Sequence, residues 1–90
     1  MPNRKTPQAA EVSRLLSLNL GTFRQRAGLS QQGTAERAGL NRGHIALIEG
    51  EKRLPRLDTI VRLAGAVEVQ PCALLEGMAW KLDPPKERSE

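Results

Sequence analysis

Ninety residues, 39% of them hydrophobic, suffice for one domain with one modest core, and exclude a second core of any size. Phe23 and Trp80 are the only large aromatics, so that core must come from Leu, Ile, Val and Ala, which suits helix packed on helix. The formal charge of +4 is compatible with a polyanionic partner, while a single cysteine, Cys72, excludes an internal disulfide and a single histidine leaves no cluster spaced for zinc.

Charge is uneven along the chain. Residues 1–30 carry five Lys or Arg against one acid, residues 31–60 five against four, and residues 61–90 four against five. No apolar run approaches the ~20 residues of a membrane span, and no secretory signal follows the first charges, so a cytoplasmic location is expected.

Residues 1–10 read as a flexible basic arm, with Arg4 and Lys5, running into a helix start where Thr6 is a cap and Pro7 a first helical residue. Val12, Leu16, Leu20 and Phe23, closed by Ala27, recur at helical spacing and predict a long first helix that Gly28 ends. Ser30 caps a short helix from Gln31 to Ala38 that Gly39 terminates, and Asn41 caps a third running to about Glu49. After a polar connection, Leu57, Ile60, Val61, Leu63, Ala64 and Val67 mark a fourth helix. Pro71 opens a fifth that carries Ala73, Leu74 and Leu75. Nothing alternates with the period of a strand, so the fold class is all-α with five helices. Residues 11–77 form the domain, and residues 78–90 a C-terminal segment ending in a proline-containing, mixed-charge tail expected to be disordered.

Two short helices around a glycine turn, with Ala35 at a close-contact position and Leu40, Ile45 and Ile48 on the apolar side of the second, meet the steric needs of a helix-turn-helix. The chain resembles the Cro and phage-repressor type of helix-turn-helix protein, the Xre family, whose domain is lambda-repressor-like. The resemblance runs from about Leu16 to Gly77. It rests on residues 24–31 (RQRAGLSQ), 38–41 (AGLN), 45–49 (IALIE), 52–55 (KRLP) and 63–64 (LA), in this order and spacing.

The resemblance implies a DNA-binding regulator whose third helix enters the major groove. It implies an ion pair between Arg24 and Glu49 that ties the first helix to the end of the recognition helix. Gln31 would meet a phosphate at the positive end of the second helix. Asn41, Arg42, Gly43, Ala46 and Leu47 would lie at the base edges with His44 close by, and Lys52 and Arg53, with Arg56 after them, near the phosphates. Arg42 suits guanine O6 and N7, with a phosphate contact as its alternative, and Leu47 is either a thymine-methyl contact or core. Departures from the family pattern are Thr34 for a usual leucine, Gly33 for an acid, and Ala38 for a larger apolar residue; Gly33 leaves Ser30 without the partner of a capping box.

One recognition helix offers few DNA contacts, and the resemblance implies two-fold dimers with recognition helices roughly 34 Å apart on an approximate palindrome. The candidate dimer surface is Leu74, Met78 and Trp80, where Trp80 is either an interface anchor or a lid on the core; Leu15 and Leu18 offer a second. No nucleophile with an adjacent base, paired carboxylates or phosphate loop is legible, so no enzyme activity, cofactor, metal or small-molecule ligand is expected. The partners expected are double-stranded DNA and a second copy. An interaction module of the same fold, or an antitoxin-type or controller-type regulator, is the alternative.

Overall fold

Pro7 opens a helix where its missing N–H has no intrahelical role. The computed structural model describes residues 7–80 and 82, and the expected arm, the Thr6 cap and all of the tail except Leu82 lie outside the described residues. The described residues form α1 (Pro7–Arg26), α2 (Gln31–Ala38), α3 (Arg42–Glu49), α4 (Leu57–Ala66) and α5 (Pro71–Leu74), with no strand among them.

The ends of these helices follow from local chemistry. Leu29 N–H donates to the Arg24 carbonyl at 3.0 Å across the left-handed Gly28, so α1 stops at Arg26 and the chain turns back. Ala27, expected to close the apolar series of α1, therefore lies exposed in that turn, and Phe23 is its last core-facing member. Ser30 Oγ accepts from Gly33 N–H at 2.9 Å and starts α2. Gly39, at φ 74°, ends it, with Leu40 N–H reaching back to the Ala35 carbonyl at 2.8 Å. Two residues later Asn41 Oδ1 accepts from His44 N–H at 2.9 Å and starts α3.

The core joins Leu16 and Leu20 of α1, Ala35 and Ala38 of α2, Ile45 and Ile48 of α3, Leu63, Ala64 and Ala66 of α4, and Val67 and Leu74. Helix α1 packs on α3 and α5, α2 on α3 and α4, and α4 on α5. Each buried Leu or Ile contributes roughly 1.5–3 kcal/mol of transfer free energy, which is what holds two eight-residue helices that would be marginal alone. The small Ala35 and Ala38 let α2 approach its neighbours closely. Asn19 Nδ2 donates to the carbonyls of Leu74 and Glu76, at 3.0 and 3.1 Å, and fastens α1 to the chain after α5.

Two expectations need correction. Leu74, assigned to a dimer surface, has 0% exposure, because the single turn of α5 points it between α1 and α4. Leu75 stands outside that turn and is exposed, so the fifth helix is shorter than its apolar run suggests. In α4, Thr59, Leu63 and Ala66 face inward with Ala64 at the edge of their face, whereas Leu57 is 73% and Val61 49% exposed on the side away from Thr59, Leu63 and Ala66. Gly65 continues that outer side, and a Cβ built there would meet nothing within 4 Å. A glycine costs about 1 kcal/mol relative to alanine in a helix interior and less in the last turn, where Gly65 stands, and no packing within the chain requires this one.

Candidate nucleic-acid interface

The outer side of α3 is set by helical spacing. Ile45 and Ile48 turn into the core, and Arg42 with Ala46, and Gly43 with Leu47, stand at i, i+4 on the opposite side. Arg42 and Gly43 are exposed and Ala46 is half-buried. Leu47 is 39% exposed, so of its two expected positions it takes the surface one. Asn41 is exposed beside them with its Oδ1 engaged as the cap, and an added Cβ on Gly43 would stand 3.3 Å from that oxygen. This surface is therefore one guanidinium, one amide and a patch of small and apolar groups.

Arg24 and Glu49 fix the far end of α3. Arg24 Nε donates to Glu49 Oε2 at 2.7 Å and Nη2 to Oε1 at 3.1 Å, with side chains only 14% and 13% exposed. The third nitrogen, Nη1, donates to the Leu29 carbonyl at 2.9 Å, so the guanidinium also holds the turn into α2. Ser17 Oγ donates to the Glu49 backbone carbonyl at 2.6 Å. A planar fork on a carboxylate gives direction as well as attraction, which suits an anchor whose task is to aim a helix.

Gln31 lies at the first position of α2, half-buried, and its Nε2 donates to Glu49 Oε1 at 3.0 Å. The side chain expected to meet a phosphate is thus tied to the anchor of α3. Sequence reasoning missed this third partner, since nothing in the spacing of Gln31 and Glu49 signals it. The backbone N–H groups of Gln31 and Gln32 remain at the start of α2 without intrahelical acceptors.

After α3 the chain turns through Glu51 at φ 62°, with Lys52 N–H bound to the Leu47 carbonyl at 2.8 Å, and leaves Lys52, Arg53 and Arg56 exposed. An open groove of about 460 Å³ separates this loop from α3 and is lined by His44, Arg53, Arg56, Arg62 and the apolar Leu40 and Leu54. Arg56 Nη2 pairs with Asp58 Oδ2 at 2.9 Å, and that guanidinium holds the Asp58 carboxyl below its ordinary range. Arg62 went unnoticed in the sequence because it sits in α4, outside the basic run. Met78 is packed against the core in part, and Trp80 is 61% exposed.

Among the described residues no helix is long and apolar enough to cross a membrane, and no group of His, Cys, Asp and Glu is placed to hold a metal ion. Two capped short helices around a left-handed glycine, with the second one's outer side free and flanked by cations, define a helix-turn-helix DNA-binding domain. Residues 15–76 match the model of the helix-turn-helix domain family. The chain belongs to that family, in its Cro and phage-repressor form with a lambda-repressor-like fold.

No curated protein matches the chain by sequence. Among solved structures, a hypothetical transcription factor from Neisseria is 27% identical with a TM-score of 0.71, over 83% of this chain and 85% of that one. The restriction-modification controller protein C.AhdI from Aeromonas hydrophila is 31% identical with a TM-score of 0.67, over 69% of this chain and 94% of that one. A helix-turn-helix transcriptional regulator from Vibrio cholerae, 23% identical with a TM-score of 0.69, shares the fold over 72% of this chain and 36% of its own length.

Proposed function

We propose that this chain is a sequence-selective transcription regulator that binds DNA as a homodimer, with α3 in the major groove. The observation that carries the reading is α3 itself, aimed by the Arg24–Glu49 pair and presenting Arg42, Gly43, Ala46 and Leu47 outward between the start of α2 and a cationic loop. In this reading Arg42 donates to guanine O6 and N7 and Leu47 meets a thymine methyl. The free N–H groups of Gln31 and Gln32 meet a phosphate, and Lys52, Arg53 and Arg56 follow the backbone of the duplex. Gly43 and Ala46 donate nothing to bases, so DNA shape supplies part of the selectivity. The likeness to a transcription factor and to a restriction-modification controller supports a regulatory role, and the controller and antitoxin subtypes share this mechanism.

Selection of bound fragments from random DNA tests the reading, followed by titration of the enriched duplex across salt concentrations. Enrichment of an approximate palindrome is expected, with affinity falling steeply as salt rises. The scarcity of hydrogen-bonding groups on α3 favours one second reading, an interaction module of the same fold. No enrichment and no salt-dependent binding at low ionic strength would select it.

A further inference from the structure

We propose that the outward face of α4 is the surface on which a second copy of this chain docks, the two α4 helices lying antiparallel about a two-fold axis at Val61. The inference rests on the homodimer reading above and names the contact that reading leaves open. Leu57, Val61 and Gly65 follow one another at one-turn steps on the side of α4 opposite buried Thr59, Leu63 and Ala66. Gly65 is a cost in helix propensity that the monomer does not explain, since a side chain there would meet open space. An approaching helix explains it: an antiparallel two-fold sets Leu57 of each copy over the bare backbone at the partner's Gly65, and Val61 against the partner's Val61.

The edge of the stripe is self-complementary in charge. Asp58 and Arg62 are both exposed, one turn apart on the same edge, and in an antiparallel pair like edges meet. Asp58, whose carboxylate Arg56 holds at 2.9 Å in the free chain, then faces the partner's Arg62 as well, and Arg62 the partner's Asp58. The Arg62 guanidinium rests over Gly39 in the free chain and turns outward to make the contact. Among the described residues the C-terminal surface exposes Leu75, Trp80 and Leu82, but none of its glycines is left unexplained by the free chain. Its glycine, Gly77, is accounted for inside the chain by φ 86° and by Leu15 at 3.7 Å, and Met78 already packs on the core.

Two apolar side chains and a glycine cover far less than the ~800 Å² per partner of a stable interface. The free chain is therefore monomeric at micromolar concentration. Adjacent half-sites, which raise the effective concentration of one copy beside the other to the millimolar range, bring the faces together.

Cysteine pairing and cooperative binding test the contact. In a Cys72→Ser background, oxidation of Val61→Cys should give a covalent dimer, both on a palindromic duplex and in the free chain at high concentration, and Trp80→Cys should not. Val61→Arg should bind a single half-site as the parent does and lose about tenfold or more of the cooperative gain on the palindrome. Gly65→Ala should raise the melting temperature while lowering that gain, opposite signs that a folding defect does not produce. Asp58→Arg should weaken pairing and Asp58→Arg with Arg62→Asp restore it. Unchanged cooperativity in Val61→Arg, or cross-linking through Trp80→Cys in place of Val61→Cys, overturns the α4 contact. If the parent binds no duplex the DNA reading fails, and cysteine pairing of the free chain still decides the α4 face.

Discussion

Breaking the Arg24–Glu49 pair one side at a time should cost more than breaking both sides together. Both side chains are about one-seventh exposed, so water reaches them only at an edge. Glu49→Gln removes the charge at nearly constant volume and leaves the Arg24 guanidinium with neutral acceptors alone, the amide oxygen of residue 49 and the Leu29 carbonyl. An uncompensated buried charge costs 3–5 kcal/mol, and the edge exposure brings this to roughly 2–3. Arg24→Met leaves the Glu49 carboxylate with the Gln31 amide and costs about 2 kcal/mol by the same reasoning. In the double variant neither ion is buried alone and the amide of residue 49 can still accept from Gln31, so the loss should stay at about 2 kcal/mol against roughly 4–5 for the sum. Urea unfolding of the four proteins at one slope gives the coupling directly. Melting temperatures should fall by about 10 °C or more for Glu49→Gln, since ~1 kcal/mol moves a domain of this size by 4–8 °C. Additivity to within about 0.5 kcal/mol would refute the reasoning and reduce the pair to two solvated charges.

Arg42→Ala should cost about 1–3 kcal/mol on the preferred duplex and relax base preference at one position; an equal loss on all sequences would make it a phosphate contact. Gln31→Ala should lower stability by about 1 kcal/mol through the lost bond to Glu49 and weaken selected and unselected DNA alike. A loss confined to one sequence would make Gln31 a base reader. Thr34 Oγ1 is buried with no hydrogen-bond partner, so Thr34→Val should stabilise by roughly 1 kcal/mol in thermal or urea unfolding, and a destabilised variant would show that the hydroxyl has a partner.

The parts of the fold that could be read in the sequence are those fixed within a few residues. Ser30 and Asn41 are caps whatever surrounds them, and Gly28 and Gly39 take the left-handed turn that other residues resist. Longer-range choices were less legible. Leu57, Val61 and Leu74 are all apolar at helical spacing, yet the first two face outward and the third inward. What decides is which side of each helix its neighbours cover. The anchor was half legible: Arg24 and Glu49 follow from the family pattern, while the Gln31 bond depends on where α2 begins relative to the end of α3. Arg62 reaches the groove beside His44 only because α4 crosses behind α2, which no local signal encodes.

The two ends of α3 are held differently, and this bears on how it would meet a base pair in the proposed complex. Its C-terminal end carries Glu49, with two side-chain partners on the carboxylate and Ser17 on the backbone carbonyl, and Ile48 is in the core beside it. At its N-terminal end the Asn41 cap is the one side-chain hydrogen bond among the described residues, next to Gly43, the residue with the widest choice of backbone angles. Ile45 is the first core contact along the helix. Any adjustment to the duplex is therefore least costly in the turn that carries Arg42, and most costly where the helix is aimed. In the proposed DNA-binding reading, orientation is fixed by the fold, and the fine position of the Arg42 guanidinium is left to the bound DNA. Losses from the Glu49 end should accordingly appear on every DNA sequence, and losses from the Arg42 end on particular ones.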